Sequence, residues 1–403
     1  MVFSYICILV FLGLLFLTQD SLILNEYLMF DCAGVFLSFI SILFMIFFLH
    51  FCGCYMSNLE FILILISSIF SIICFLSNDT LVFWVTYELA ILPIVFCMLI
   101  GSPYSERFLA FWYLAGYIGL TSLPLLLTIL YVNTVTGTTS LASNTSMEFN
   151  GGLLVGVILL ILFSTKVPLP PFHSWLPVVH AEASTFISIC LSGFIMKLGI
   201  IGIYRFVVNL VIDNSSLGSV LLCYSVLVIA SCIAELDTKR WLAYLSLGHI
   251  IIAIVGIIKN ENIPSEAVLY CLGHGFSASL LFGVFLLVYE LFGSRNWFSF
   301  SMSGRLGMSL GVILGGCLLT ASSFPPTLNF FSEIFILGLS FDNIGLVFSY
   351  FFYLFVGGLV PVLILSYLVC SFGESHGNSR PPIGLLLAIY VFCLVCYLVV
   401  FLV

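Results

Sequence analysis

Four ionisable residues lie inside stretches of sequence that are otherwise almost entirely apolar. They are two glutamates and two lysines: Glu88, Lys166, Lys197 and Glu333. A charge at membrane depth is costly even on the lower of the disputed scales, so such a residue persists mainly where it is paired or faces a wet cavity. Two charges of each sign therefore predict a path for ions or protons through a bundle of helices.

Glu88 and Lys166 are the candidates for a switched pair. Burial favours the neutral form of each side chain, whereas pairing favours the charged form of both. Moving or neutralising the glutamate would then let the lysine lose its proton. The alternatives are a protonated Glu88 that is hydrogen-bonded to a neighbouring helix, and a Lys166 that extends its amine to the membrane interface.

Lys197 and Glu333 are predicted to continue the path. Lys197 is the second relay candidate, and Gly193 and Gly199 beside it would allow another helix to approach closely. Glu333 is the candidate for the terminal proton acceptor. Its alternative role is a carboxylate that satisfies the freed backbone of its own interrupted helix.

Two histidines, His249 and His274, lie deep enough in apolar stretches to hand on a proton. Each alone is as often a hydrogen-bonded core residue, and a haem held by both is the main redox alternative. His173 and His180 are poorly spaced for two metal ligands on one helix. The chain carries no dinucleotide-binding or phosphate-binding glycine motif and no iron–sulfur cysteine set, so we expect no cofactor and no metal.

The composition excludes a soluble protein. The chain has 403 residues, of which 62% are hydrophobic and 7% charged, and its mean hydropathy is +1.29. Soluble domains carry about 25% charged residues. Ten lysines and arginines are too few and too scattered for a nucleic-acid footprint, so we expect lipid and membrane proteins as partners and no nucleic acid.

The pattern of apolar runs predicts an all-α polytopic membrane protein with about 13 transmembrane helices, since each span needs about 20 apolar residues. Two of these helices are interrupted, by Pro168–Pro171 after Lys166 and by Pro325–Pro326 before Glu333. Paired interruptions of this kind indicate internal repeats, and units with an odd number of helices must be inverted. We expect one membrane domain, 1–403, with N-terminal helices at 1–58, inverted five-helix repeats at 59–208 and 217–372, and a C-terminal helix at 373–403.

The positive charges predict the orientation. Loops after even-numbered spans hold six basic residues, whereas two lie near odd-numbered spans, which puts the even loops on the matrix side of a mitochondrial membrane. The six are Arg107, Lys239, Arg240, Arg295, Arg305 and Arg380, and the two are Arg205 and Lys259.

Several of these motifs together resemble a known family. TKVPLPPFHSWLPVVHAEAS is similar to the VK-x-P…H-x-WLP-x-AH-x-EAP signature of the antiporter-like subunits of NADH:ubiquinone oxidoreductase (complex I). AELDTKRWLAYLSLGHI, LGHGFSASLLF and FPPTLNFFSE resemble further motifs of that family. YELAILPI, the segment SERFLAFWYLAGYIGLTSLPLL and a glutamate rather than a lysine at position 333 favour its chain 4 branch. The match runs from about Asp31 to the end of the chain.

The resemblance implies a proton-translocating membrane-arm subunit of respiratory complex I, located in the mitochondrial inner membrane and driven by quinone reduction elsewhere. It implies a translocase subunit without a redox centre, because NADH, flavin, iron–sulfur clusters and ubiquinone belong to other subunits. Partners would be other membrane-arm subunits, including the neighbouring antiporter-like chains 2 and 5, and lipids. The implied site residues are the pair Glu88 and Lys166, the central Lys197, the axial His249 and His274, and the terminal Glu333.

Two alternatives share the expected fold. One is a subunit of a multisubunit cation/proton antiporter, and the other is a structural membrane-arm subunit that no longer conducts protons. The sequence also departs from the family in two places. The family has one more transmembrane span at its N-terminus, and it usually has a proline where this chain has Ser184 and Thr185, so the turn there would differ.

Overall fold

A computed structural model of the chain describes residues 22–47, 56–102, 104–144, 153–212, 214–259, 265–297 and 308–370, together with Ile389 and Tyr397. Across these ranges the ordered structure is helical apart from one short strand pair and isolated bridges, so the predicted helical class is confirmed there. Apart from Ile389 and Tyr397, the expected C-terminal helix at 373–403 lies outside the described residues, and so do residues 1–21 of the expected N-terminal helices, Arg305 and Arg380.

Within the expected N-terminal helical region 1–58, the described residues begin with a strand pair. β1 (Leu22–Ile23) pairs antiparallel with β2 (Met29–Phe30), and the Met29 amide donates to the Leu76 carbonyl at 2.9 Å, so these residues are held extended. The helices that follow are α1 (Cys32–Phe47), α2 (Asn58–Phe75), α3 (Thr80–Gly101), α4 (Arg107–Thr136) and α5 (Leu141–Asn144).

Local signals fix several of these helix ends. Ser57 and Glu60 form a capping box at the start of α2, which satisfies two backbone donors at once. The Asp79 carboxylate accepts hydrogen bonds from two amides in the first turn of α3. Gly137 ends α4 in the left-handed conformation, at φ 70°, where glycine is favoured.

The middle part contains the first predicted interruption. α6 (Leu153–Ser164) stops just before Lys166, and α7 (Trp175–Glu182) begins beyond the Pro-rich segment, because proline removes backbone donors and clashes with the preceding turn. α7 is followed by α8 (Thr185–Cys190), a π-helical turn (Leu191–Ile195) and α9 (Met196–Val211), which run as one rod.

The second predicted interruption lies in the last third of the chain. Its helices are α10 (Ser215–Cys232), α11 (Thr238–Lys259), α12 (Ser265–Phe292), α13 (Met308–Ala321), α14 (Leu328–Leu339) and α15 (Ile344–Cys370). The break falls between α13 and α14 and contains Pro325 and Pro326, so Glu333 lies in the first half of the resumed helix α14.

Burial separates a central group of helices from a more exposed outer group. Among the described residues, eight helical segments are long and apolar enough to cross a membrane. Over their most apolar stretches Thr185–Val211 and Ser265–Leu291 are buried throughout and Thr238–Lys259 is 94% buried, whereas Arg107–Thr136 is only 28% buried. The three central segments are those that carry Lys197, His274 and His249.

A buried ion pair ties the N-terminal helices to the centre. Arg205 lies inside α9, and its guanidinium contacts the Asp31 carboxylate at 3.0 Å. It also donates to the carbonyls of Phe75 at 2.6 Å and Ser77 at 2.8 Å. Gly34 makes room for this contact, because a Cβ there would lie 2.4 Å from the Phe75 oxygen. The Arg205 contacts therefore join α1 and α2 to α9.

Candidate functional site

All six predicted site residues lie in the interior, with side chains between 0% and 9% exposed. They are Glu88 on α3, Lys166 at the first break, Lys197 on α9, His249 on α11, His274 on α12 and Glu333 on α14. This burial contradicts the alternative in which the Lys166 amine reaches the membrane interface. The question is then which of the six the fold brings into contact.

Lys197 and His274 are in direct contact. The Lys197 amine lies 3.0 Å from His274 Nδ1 and also donates to the Ser192 carbonyl. Ser192 belongs to the π-helical turn before α9, and such turns are rare and frequently mark functional sites. An ammonium group can only donate, so with a charged Lys197 the facing His274 nitrogen must be the acceptor. This arrangement is suited to passing a proton from lysine to histidine.

His249 follows His274 along the same line. The two ring centroids are 6.4 Å apart, and both rings line a space of about 10 Å³, which is room for about one water molecule. In the described part of the chain Nε2 of each ring lacks a hydrogen-bond partner. His249 Nδ1 lies 2.5 Å from the Tyr353 hydroxyl and 3.3 Å from the Tyr270 hydroxyl, so its other face is occupied by two buried phenols.

Glu333 faces the same region across a larger cavity. This cavity has a volume of about 250 Å³ and is lined by His249, Tyr353, Glu333 and residues of the second break. A water molecule takes up about 30 Å³ of liquid volume, so the cavity can hold several. The Glu333 carboxylate accepts a hydrogen bond of 2.7 Å from the Ser323 hydroxyl. A side chain of the break, rather than a freed backbone amide, is thus the partner of Glu333.

Glu88 and Lys166 are held in a different way. They act on each other electrostatically, yet the ion pairs within 4.0 Å in the described ranges are Arg205–Asp31 and Arg295–Asp237. The Lys166 amine lies 5.8 Å from the centre of the Tyr87 ring. Neither this amine nor Glu88 Oε1 has a hydrogen-bond partner among the described residues. The expected direct ion pair is therefore replaced by two charges that interact at longer range.

Close packing fixes the backbone around Lys166. A Cβ on Gly199 would lie 2.5 Å from Val167 Cγ2 and 3.3 Å from Lys166 Cβ, so only glycine lets α9 approach the break this closely. The Trp175 indole donates to the Thr165 carbonyl at 2.9 Å and ties α7 back to the end of α6. The break is thus rigidly packed, although no hydrogen bond of the Lys166 amine joins it to Lys197 in the residues that the structure describes.

Sequence reasoning missed the tyrosines of the site. Tyr270 lies four residues before His274 on the same helix, and this spacing places the two side chains on one face, so it could have been found. Tyr353 meets His249 across 104 positions of sequence, a contact for which no local signal exists.

The other two histidines of the first break lie apart from the proton path. His173 packs edge-on against Tyr224 at 5.3 Å, and His180 stacks on Phe282 at 5.1 Å. Within the ranges described above, no three histidine, cysteine, aspartate or glutamate side chains come together in the arrangement of a metal site.

Comparison with known proteins identifies the family. The family model described as NADH:quinone oxidoreductase/Mrp antiporter, transmembrane, matches residues 77–358, which include all six site residues. The chain belongs to this family. The resemblance drawn from the motifs is therefore confirmed.

Named relatives point to one branch of the family. NADH-ubiquinone oxidoreductase chain 4 of Lumbricus terrestris is 31% identical over 294 residues, covering 70% of this chain and 64% of that protein. The protein of the same name from Artemia franciscana is 29% identical over 314 residues, covering 76% of this chain and 77% of that one. The chain thus matches less than two thirds of the length of the Lumbricus protein.

Solved structures show the same fold in two kinds of complex. A chain of respiratory complex I from Thermus thermophilus aligns with a TM-score of 0.82 at 18% identity, covering 98% of this chain and 90% of that one. A chain of the Mrp complex from Dietzia sp. DQ12-45-1b aligns with a TM-score of 0.78 at 16% identity, covering 93% and 81%. The fold is therefore shared by both complexes and does not by itself distinguish their activities.

Proposed function

We propose that this chain is a proton-translocating membrane-arm subunit of respiratory NADH:ubiquinone oxidoreductase, driven by quinone reduction in other subunits. The observation that carries the proposal is the alignment of Lys197, His274 and His249, which leads across one water-sized space to the cavity that Glu333 faces. Titratable groups of both signs lie at short intervals in the most buried part of the protein. Such groups are expensive in a membrane and mark ion or proton pathways.

Each group in this path has a definite task. Lys197 donates a proton to His274 Nδ1, and His274 releases one from Nε2 into the space that it shares with His249. His249 takes up that proton at Nε2 and releases one from Nδ1 beside Tyr353. Water in the larger cavity then carries the proton to Glu333. A neutral imidazole can act this way because its two nitrogens exchange donor and acceptor roles.

Glu88 and Lys166 supply the control. Without a direct ion pair, the charge of Lys166 depends on a field that Glu88 can strengthen or weaken by a small displacement or by protonation. Moving one charge against 100 mV costs about 2.3 kcal/mol. One such pair cannot drive the whole transfer, so several coupled sites must contribute, and they titrate together rather than singly.

The finer architecture is part of the same proposal. We expect about 13 spans, each needing about 20 apolar residues, and inverted repeats at 59–208 and 217–372. The two interruptions support this, since each falls beside a titratable residue, Lys166 in one unit and Glu333 in the other.

The setting follows from the relatives' names and from the site. We place the chain in the mitochondrial inner membrane, beside other membrane-arm subunits that include chains 2 and 5. We expect NADH, flavin, iron–sulfur clusters and ubiquinone to be bound elsewhere in the complex. The space of about 10 Å³ between His249 and His274 argues against a haem held by this pair.

A cation/proton antiporter subunit is the second candidate function, favoured by the structural similarity to the Mrp complex. The higher identity to chains named NADH-ubiquinone oxidoreductase chain 4 favours complex I. Purification of the native complex distinguishes the two. Flavin and iron–sulfur subunits in the purified complex support the first function, and their absence from an intact assembly supports the second.

Replacement of Lys166 by alanine tests the pumping role. In a complex reconstituted into sealed vesicles, we expect Lys166→Ala to lower the ratio of protons translocated to electrons transferred. Lys259→Ala, which removes a lysine at the far end of α11, serves as the control. An unchanged ratio in a fully assembled Lys166→Ala complex would refute the proposal.

A further inference from the structure

The break between α7 and α8 leaves three consecutive backbone carbonyls near the end of a helix, those of Ala181, Glu182 and Ala183. Carbonyls at a helix end need partners from outside the helix. Each of these three accepts a hydrogen bond from a side chain of a different part of the fold. In the order of the carbonyls the donors are Arg295, Ser102 and Lys239.

The three donors lie in, or shortly after, helices that carry predicted site residues. Ser102 directly follows α3, which bears Glu88, and Lys239 lies in the first turn of α11, which bears His249. Arg295 follows α12, which bears His274. The carbonyls themselves lead through α8 and the π-helical turn to Lys197. One short stretch of backbone is therefore bonded to the elements of three site residues and continues along the chain into the element of a fourth, Lys197.

Two of the donors are cations that pack around one aromatic ring. The Lys239 amine lies 4.9 Å from the centre of the Tyr104 ring, and the Arg295 guanidinium carbon lies 4.1 Å from it. Arg295 donates to the Ala181 carbonyl at 2.5 Å, and Lys239 donates to the Ala183 carbonyl at 2.9 Å. Asp237 lies 3.6 Å from Arg295. Burial raises the pKa of Tyr104 to about 12, so its phenol stays neutral between the two cations at physiological pH.

The contacts are too costly to be incidental. Lys239 is almost fully buried, and a buried amine that loses its acceptor is left with an unsatisfied donor, which is unfavourable. Any movement of the junction between α7 and α8 must then carry Lys239 and Arg295 with it. The end of α3 follows as well, because the buried Ser102 hydroxyl donates to the Glu182 carbonyl.

We propose that these three carbonyls and their donors form a coupling clamp through which a displacement of the Glu88 helix moves Lys197 relative to His274. The inference rests on the proposed proton-translocating function and deepens it. It supplies a link between the Glu88 helix and Lys197, where the described residues offer no chain of hydrogen bonds from the Lys166 amine. Ser102, Lys239 and Arg295 are then positioning residues, since none of the three contacts a site residue directly.

A small displacement is enough for this mechanism. The Lys197–His274 contact of 3.0 Å is near the optimum for a hydrogen bond, and such bonds weaken steeply as distance and angle depart from it. α8, the π-helical turn and α9 are continuous, and the most apolar stretch of this segment is buried throughout, so a shift at Ala183 is transmitted along a rigid rod. The clamp thus makes proton transfer from Lys197 depend on the position of α3.

Variants of Lys239 test the clamp in the full complex reconstituted into sealed vesicles. We expect Lys239→Met to slow proton translocation about tenfold, the factor that corresponds to about 1.4 kcal/mol. Lys239→Arg, which keeps the charge and the donors, should restore most of the rate. Lys259→Met, at the other end of α11, is the matched control. If Lys239→Met behaves like Lys259→Met, or Lys239→Arg fails to rescue, the clamp is ruled out.

Combination with Glu88→Gln isolates the coupling from a general structural defect. Independent effects on the rate multiply, whereas residues that act through one element show a large interaction term. The clamp predicts that Glu88→Gln combined with Lys239→Met is no slower than the slower single variant. A double variant whose loss equals the product of the two single losses would overturn the inference.

Hydrogen–deuterium exchange separates failure of the clamp from failure of the proposed function. In Lys239→Met we expect the amides of Thr185–Cys190 to exchange about tenfold faster, again about 1.4 kcal/mol, whatever the chain transports. Unchanged exchange refutes the clamp while Lys166→Ala still tests pumping. If exchange rises but Lys166→Ala leaves translocation unchanged, the proposed function fails and the coupling role falls with it.

Discussion

The two ends of the buried polar path hold their charges in opposite ways. Glu88 and Lys166 interact only at a distance, and in the described residues Lys166 Nζ and Glu88 Oε1 have no hydrogen-bond partner. Lys197 directly contacts His274, His249 contacts two tyrosine hydroxyls, and a space for about one water molecule lies between the two histidine rings. One region leaves its charged atoms without a close partner, and the other gives the Lys197 amine and Nδ1 of each histidine a direct contact.

This difference assigns different tasks to the two regions. A buried charge without a close partner responds strongly to any change in its surroundings, since a low dielectric strengthens electrostatic interactions and raises the cost of an unpaired group. A line of direct contacts has little freedom to respond, but it offers a proton short and defined steps. The first region is therefore suited to sensing and the second to conduction.

The largest effect is expected from breaking the conducting line. Lys197→Met removes the proton donor while keeping an unbranched side chain of similar length that can fill the same space. We expect proton translocation to fall about 100-fold, the lower end for loss of a proton-transferring group. The measurement is the rate of proton release from sealed vesicles at a fixed rate of electron transfer.

The control for this change is the same substitution at Lys259, which should leave the rate within about twofold, the range expected for surface changes. A Lys197→Met complex that assembles and pumps at the normal rate would show that the line of contacts is not the conducting route.

A smaller effect is expected from weakening the sensing region. Glu88→Gln removes the carboxylate charge and preserves shape, so Lys166 loses its electrostatic neighbour but the line from Lys197 stays intact. We expect about a tenfold slower translocation, which corresponds to about 1.4 kcal/mol. Glu290→Gln, at an exposed glutamate on α12, is the control. Equal losses for Glu88→Gln and Lys197→Met would erase the proposed division of tasks.

The sequence predicted the charged members of the site because each stands alone against an apolar background. Lys166 and Glu333 could also be placed at breaks, since proline excludes a continuous helix. It could not predict how the charges are held. Whether Glu88 touches Lys166 depends on the tilt of α3 against the break, and tertiary packing sets that tilt.

The same limit applies to contacts across long stretches of chain. Arg205 counts only as a basic residue near an odd-numbered span, because the positive-inside rule counts residues and not contacts, whereas the fold buries it against Asp31. Lys239 and Arg295 were counted in the same way. Their role at the junction of α7 and α8 is visible only in the fold, where the ends of three helices converge on Ala181–Ala183. Residue type predicted where charge is expensive, and only the fold shows what offsets that cost.

The smallest effect is expected from the tyrosines at the end of the conducting line. Tyr353→Phe removes the hydroxyl that lies 2.5 Å from His249 Nδ1. A hydrogen bond of this kind contributes about 0.5–1.5 kcal/mol, so we expect translocation to slow by about two- to tenfold. The same vesicle assay measures it.

Tyr270→Phe sharpens this last comparison, because it removes the other hydroxyl from the same nitrogen at the longer distance of 3.3 Å. If the tyrosines serve conduction, the variant with the shorter contact must be the slower of the two, since hydrogen bonds weaken with distance. If they serve only to pack His249, both variants keep the aromatic ring and both should translocate protons normally. The order of the two rates, more than either value, then decides whether the conducting line extends beyond His249 or ends at its ring.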